Sequence, residues 1–539
     1  MIPEITHIHP IFGANMSTAS RSLSPIRNVD SILAAVAGFI IIHYLTRHGG
    51  IGVSPDSVDY ISTAANIQDS GRGVNFAGSA LVNFPLGYPL LISGLISLTR
   101  MDPLQFGPVL DGLLFAAVIL LSGMIMEGFA YRSKWYKIAV LSIIVLSPCL
   151  LEIYSMIWSE TIFILLSLLF IFFCQRYFRT PTLLALLWPA LVAALACSTR
   201  YAGITMIATG GLMIWLNGGM RPVKRIGHLF FFGLVAYSLL AINLWRNVEK
   251  TGTLTGHREK GLESFWVVLH DFGSVSLGWL GLPDHYYIFA VAMGVLLILL
   301  FFVVFVLRWR RSPHFFSYEN LAIAYFIIYA VFILLTATIS RFQQLDSRLL
   351  SPLFIPFLWG CYSMIASSIH GRMAGRIAGR MTGRMTAMKE ERGVAGWVVM
   401  GILLAGFVIV QYGQVRTYRE NWEGIADAGI PGYTEDDWRH SATMEFIRRN
   451  KDSLEEANTL YTNADDAIWF LTGMHAVLLP HKDFTMDVQT LLAKDHFNVA
   501  WFNDGINPDL VSVATIGRYK KLARVAAFPD GAVYFFTTK

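Results

Sequence analysis

The feature that most narrows what this chain can fold into is a recurrence. Apolar stretches of about 18 residues or more, nearly free of charge, return along most of its length. A helix of that size crosses a hydrocarbon core roughly 30 Å thick, and inside lipid a helix satisfies its own backbone hydrogen bonds. Only 15% of the 539 residues are charged, while 54% are hydrophobic. A soluble domain carries roughly 25% charge, so the chain reads as a polytopic α-helical membrane protein. The net charge of +5 is small and its basic residues sit in particular loops, which argues against a nucleic-acid partner. The four cysteines, Cys149, Cys174, Cys197 and Cys361, lie in or at the ends of apolar runs. They read as small hydrophobes rather than a disulfide framework or a zinc site.

Eleven spans are expected, at 29–46, 108–126, 136–152, 159–175, 182–198, 201–217, 226–245, 286–308, 317–338, 349–368 and 394–412. The polar start before Val29 lacks a cleavage pattern, so the first span reads as a retained signal anchor. The short, proline-broken run "PLGYPLLISGLISLT" at 85–99 is expected to be re-entrant or interfacial. The basic loops "YRSKWYK", "QRYFRT", "MRPVKR" and "RWRRS" fall on one side with Arg21, Arg27 and the loop 371–392. The positive-inside rule makes that side cytoplasmic. It places the N-terminus inside, and a loop at 47–107 and the C-terminus outside, as in a bacterial inner membrane. Within the basic loop, "GRMAGRIAGRMTGRM" repeats every four residues. Its arginines, Arg372, Arg376, Arg380 and Arg384, would share a face suited to anionic headgroups if it were helical. A glycine at every fourth position favours a low-complexity linker instead.

The chain divides into a transmembrane region, 1–412, and a soluble extracytoplasmic region, 413–539. In the second, "TEDDWRHSATMEFIRRN" reads as a capped helix, "NTLYTN" and "NVAWFND" as strands, and 522–538 as a hairpin turning at "PDG". Helices alternating with strands suggest a small α/β domain, with no catalytic motif to define its role.

Charged residues gather at the outer level. Asp56 and Asp59 open the first external loop in "SPDSVDYISTAANIQDSGRG", which ends at a glycine helix stop. As a helix it sets the two acids on one face, with Tyr60, Ala64 and Ile67 beside them along the membrane surface. Such a pair suits general-base work or a divalent cation, and N-terminal capping by Asp56 is the plainer alternative. Glu152 and Glu160 close and open neighbouring spans, and Asp111 lies about one turn inside the second. Arg200 falls between spans five and six. His257, Arg258 and Lys260 come from "TGTLTGHREKG", and Arg341, Asp346 and Arg348 from "SRFQQLDSRLL". Charges at membrane depth tend to face a cavity or one another, although any one alone reads more simply as a snorkelling anchor. Arginine suits phosphate through its planar fork of donors. Structural pairing of Arg200 or Arg348 with Glu152, Glu160 or Asp346 is the competing reading.

Four stretches, "PDSVDYISTAANIQDSGRG…NFPLGYPLLISGL", "YSMIWSETIFILLSLL", "AALACSTRYAGITMI" and "DSRLLSPLFIPFL", together resemble the GT-C glycosyltransferases, integral membrane enzymes that use polyprenyl-phosphate-linked sugars. The likeness runs over nearly the whole chain and is nearest the protein mannosyltransferase and aminoarabinose transferase branches. It implies that Asp56, in the place of the acid early in the first external loop, is catalytic. Asp59 or Glu160 would be its partner acid. Arg200, Arg258, Arg341 and Arg348 are implied for the donor phosphate, and Tyr60, Tyr201, His257 and Lys260 for substrate. A lipid, glycan or protein would accept the sugar at the outer face of the cell envelope. Asp56 and Asp59 are the only expected place for a divalent metal. The absence of a G-x-G-x-x-G or Walker-type loop agrees with a donor that is not a nucleotide. A transporter or flippase is the main rival, but such proteins place ionisable groups near the midplane, often in repeated halves. A sensor that displays its C-terminal region would leave the acids without work.

Overall fold

The structure, a computed structural model, describes residues 28–130, 132–258, 260–261, 263–282, 286–311, 315–340, 344–381, 391–457, 459–503 and 509–539. Every expected span falls on helix. α1 (Val29–Leu45) is followed in the first external loop by α2 (Pro55–Ser70) and α3 (Gly87–Thr99), and then by α4 (Pro103–Met126). α5 (Lys134–Val145) and α6 (Pro148–Tyr154) come next, bent by 53°. The break has a local cause: Pro148 supplies no N–H, and Ser147 caps the new helix by accepting from the Leu150 N–H. α7 (Glu160–Arg179), α8 (Leu183–Thr199), α9 (Ile204–Trp215) and α10 (Pro222–Thr251) continue the bundle. Among the described residues, α4, α7, α10, α12 (Tyr287–Arg311), α13 (Tyr318–Ile339) and α14 (Ser347–Met381) contain stretches long and apolar enough to cross a membrane. The α5–α6 pair makes a seventh. The chain is thus a multi-pass membrane protein, and a count of eleven needs the shorter helices α1, α8 and α9 as well as α15 (Glu391–Ala428).

Several local expectations change. α11 (Phe265–Trp279) lies in a segment read as loop. His270, Asp271, Gly273, Ser274 and Ser276 dilute its hydropathy, yet it packs on α12, with Gly273 against the Ala290 carbonyl. The glycine-rich repeat is helical as far as Met381, the end of α14. Once a long helix is nucleated, each added residue costs little. Finally, the apolar side of α2 is covered by protein, Tyr60 and Ala64 being fully buried.

Tyr60 packs on Phe84 and Tyr88 of the same loop, and their core extends into the C-terminal region. There α16 (Asp436–Arg439), α17 (Ala442–Arg449) and α18 (Lys451–Ala457) precede a five-stranded sheet of order β2-β1-β3-β5-β4. The strands are β1 (Leu460–Thr462), β2 (Val477–Leu478), β3 (His496–Phe502), β4 (Lys521–Phe528) and β5 (Gly531–Thr537). β1 runs parallel to β2 and β3, while β3–β5 and β4–β5 are antiparallel. α19 (Asp465–Thr472), α20 (Thr485–Ala493) and α21 (Val513–Tyr519) connect them. The expected single helix around 434–450 is two, because Ser441 caps a fresh start by accepting from the Met444 N–H. One apolar core joins Val53, Val58, Tyr60, Ala64 and Tyr88 of the first loop to Tyr433, Trp438, Met444 and Ile468. The main chain is pinned as well, the Tyr433 N–H donating to the Val53 carbonyl at 2.8 Å.

Candidate active site beneath the C-terminal sheet

Four helix ends converge beneath this docked region. Ser54 and Pro55 start α2, and the Ser54 N–H donates to Ser57 Oγ at 3.1 Å. Ser57 Oγ in turn donates to the Ile157 carbonyl at 2.9 Å, which ties the first turn of α2 to the segment before α7. Asp56 and Glu160 both sit in first helical turns, where the helix dipole favours a carboxylate. Arg200 follows α8 in extended backbone, and Arg348 lies in the first turn of α14.

The four charges form one chain of contacts. Glu160 Oε1 accepts from Arg348 Nε at 2.6 Å and pairs with Arg200 Nη1, also at 2.6 Å, as an ion pair. Arg348 Nη2 reaches Asp56 Oδ2 at 2.5 Å and Glu160 Oε2 at 3.5 Å. Arg200 Nη1 also donates to Ser159 Oγ at 3.0 Å, and Tyr60 Oη lies 3.2 Å from the same hydroxyl. Burial and the Asp56 and Glu160 carboxylates push the Tyr60 phenol up, so it stays a neutral donor. The Arg348 guanidinium lies 4.0 Å over the Trp158 ring, whose Nε1–H donates to Ser54 Oγ at 2.7 Å. Glu160 is only 1% exposed, whereas the side chains of Arg200, Arg348 and Asp56 are 14%, 17% and 28% exposed. Among the described residues, Arg348 Nη1 and the Nε and Nη2 groups of Arg200 bond to no acceptor.

The other candidates stand elsewhere. Asp59 turns from the cluster toward the C-terminal region, accepting from Asn75 Nδ2 at 3.0 Å. Burial first, then Asp56, Asp466 and Asp465, hold its carboxyl up at about 7. Asp465 is held at about 6 by burial and Asp466. Tyr433 Oη donates to Asp466 Oδ2 at 2.9 Å. Asp59 thus spends a hydrogen bond on Asn75 rather than on the charge cluster, and among the described residues no group of three or more His, Cys, Asp or Glu could hold a metal. Tyr201 donates to the Val82 carbonyl at 2.7 Å and accepts from Asn243 and Asn247. Arg258 Nη2 donates to the Asn83 carbonyl at 3.2 Å. Both thus brace the segment 81–84, together with Arg246, which binds the Gly73 and Leu81 carbonyls. His257 and Lys260 are exposed beside them, Lys260 in a backbone bridge to Ser340. Arg341 lies outside the described residues. Asp111 is buried in α4 with neither carboxylate oxygen hydrogen-bonded among the described residues. Sequence reasoning missed Trp158, Ser159 and Arg246; the first two adjoin Glu160 in "WSET", and that adjacency was the available signal.

No protein-family model matches the chain, and no curated protein matches it in sequence. Among solved structures, ArnT from Cupriavidus metallidurans in the apo state superposes with a TM-score of 0.53 at 12% identity. The match covers 94% of this chain and 97% of that one. The structure of the same protein bound to undecaprenyl phosphate gives the same figures. An oligosaccharyltransferase from Archaeoglobus fulgidus aligns more loosely, at a TM-score of 0.48 and 8% identity, over 87% of this chain and 69% of that one. The GT-C likeness of the four sequence stretches is thus matched at the level of the fold.

Proposed function

We propose that the chain is a membrane glycosyltransferase that moves a sugar from a polyprenyl-phosphate carrier to an acceptor at the outer face of the membrane. The observation that carries this reading is the Asp56–Arg348–Glu160–Arg200 chain of contacts, in which two guanidiniums held by one buried carboxylate keep unused N–H groups beside a partly exposed acid. That arrangement suits an anion next to a base. Its fold partner ArnT has been crystallised with undecaprenyl phosphate, a carrier of the class proposed here.

Asp56 is the base in this reading. It takes the proton of an acceptor hydroxyl as that oxygen attacks the anomeric carbon. The bond from the anomeric carbon to the phosphate oxygen breaks, and its electron pair leaves with the phosphate. The free edges of Arg200 and Arg348 receive the charge that develops there. One displacement inverts the anomeric centre. Glu160 touches no substrate in this scheme, because its oxygens are occupied by the two guanidiniums. Arg258 and Tyr201 bond to the adjoining segment 81–84 and, with the exposed His257 and Lys260 of the same loop as Arg258, would meet the rest of the donor. Eleven spans, with the N-terminus cytoplasmic and residues 413–539 outside, complete the proposal. Those residues form a lid over the first loop.

The test is transfer of labelled sugar from a polyprenyl-phosphate-sugar by the purified protein in detergent, with Asp56→Asn alongside. Transfer by the native chain and a loss of about a hundredfold or more in the variant is the expected outcome. Equal transfer by both proteins removes Asp56 from the chemistry. Uptake into liposomes without transfer would establish a transporter in its place.

A further inference from the structure

We propose that donor phosphate displaces Asp56 from Arg348, so that binding of the lipid carrier itself frees the base. The inference rests on the glycosyltransferase reading and adds a control to the same site. In the present arrangement the cluster is self-neutralised: Asp56 and Glu160 carry two negative charges, and Arg200 and Arg348 two positive ones. An incoming phosphate diester brings a further negative charge, and it competes with the most weakly held anion.

That anion is Asp56. Glu160 is sealed from solvent, hydrogen-bonded to Arg348 and ion-paired with Arg200, with Ser159 Oγ a further 3.4 Å contact. Among the described residues the Asp56 carboxylate bonds to one side chain, through Arg348 Nη2, and it is the most exposed of the four charges. Arg348 stays in place without it, held by Glu160 through Nε and by the Trp158 face. The backbone under Asp56 is fixed by the Ser57 bond to Ile157, so release needs only a side-chain rotation. While bonded to Arg348, Asp56 Oδ2 is turned to the guanidinium rather than to an acceptor hydroxyl. After exchange, the phosphate occupies the guanidinium and the carboxylate faces the acceptor. Without a carrier the base stays engaged with Arg348.

Two measurements on the full-length protein in detergent test this. The first is undecaprenyl phosphate affinity. Asp56→Asn removes the competing charge and should bind the lipid about tenfold more tightly, and Asp56→Ala the same. In an Arg348→Gln background the gain should vanish. Unchanged or weaker binding by both Asp56 variants overturns the exchange. The second uses the native chain: carbodiimide labelling of Asp56, read by mass spectrometry, should rise several-fold when undecaprenyl phosphate is added. A fall in labelling overturns the proposal even where the variants do not fold. Transfer activity separates the two readings. Tighter binding without any sugar transfer by the native chain refutes the enzyme and keeps the exchange, whereas transfer with no affinity gain does the reverse.

Discussion

At the scale of single residues, Glu160 is the hub. Its carboxylate is the shared ion-pair partner of two guanidiniums in a nearly dry place. Replacing one member of a buried ion network leaves its partners charged and uncompensated, at a cost of about 3–5 kcal/mol. Glu160→Gln should therefore lower the Tm of the purified protein by several degrees and abolish transfer together. A variant with native Tm and native transfer would show that the arginines do not depend on it. Much of this cluster could be read from sequence, because Asp56, Glu160, Arg200 and Arg348 are charges placed at the ends of apolar runs, where they are costly unless they meet. What could not be read was the partner of each. Asp59 shares the α2 face that spacing gave it, but its bond goes to Asn75, sixteen residues on, and its neighbours come from α19. Trp158 carries no charge, so nothing in composition marks it as the platform for Arg348.

At the scale of elements, two contacts decide how well the site is held. Gly87 begins α3 where it crosses the end of α8, and a Cβ there would lie 2.3 Å from the Ser198 carbonyl, two residues before Arg200. Gly87→Ala should displace that turn and cut transfer more than it cuts Tm; unaltered transfer would mean the turn yields without moving Arg200. The second contact is between α2 and α19, where Asp59, Asp465 and Asp466 face one another beside the Phe76–Trp469 ring pair. Folded, Asp59 keeps its proton to about 7 and Asp465 to about 6. Unfolded, both release it near about 4. The folded chain therefore binds more protons in that window, and stability falls as pH rises through it. Thermal unfolding should give a lower Tm at pH 8 than at pH 6, and the double variant Asp59→Asn with Asp465→Asn should flatten the difference. An equal drop in the double variant would place the titration elsewhere. The helices themselves were legible from apolar length, and α11 was not, since its packing on α12 substitutes for the hydropathy it lacks.

At the scale of the whole molecule, the sheet-bearing region and the first loop share one core, so the C-terminus lies on the same side as Asp56. A phosphatase fused after Lys539 should be active only if that side is outside the cytoplasm, and it is expected to be active. Cytoplasmic folding of the fusion would invert the orientation and move the proposed chemistry to the other leaflet. The sequence marked this region as α/β through its alternation and the "PDG" hairpin. Its docking over α2 left no such trace, because Tyr60 and Ala64 look alike whether they meet lipid or protein. The Ser57–Ile157 bond carries a last consequence. By riveting the start of α2 to the approach of α7, it fixes the backbones that carry Asp56 and Glu160 relative to each other. Arg348 is brought by a different helix, so any sliding of α14 along its axis would pull that guanidinium away from both acids at once and act as a throttle on the reaction.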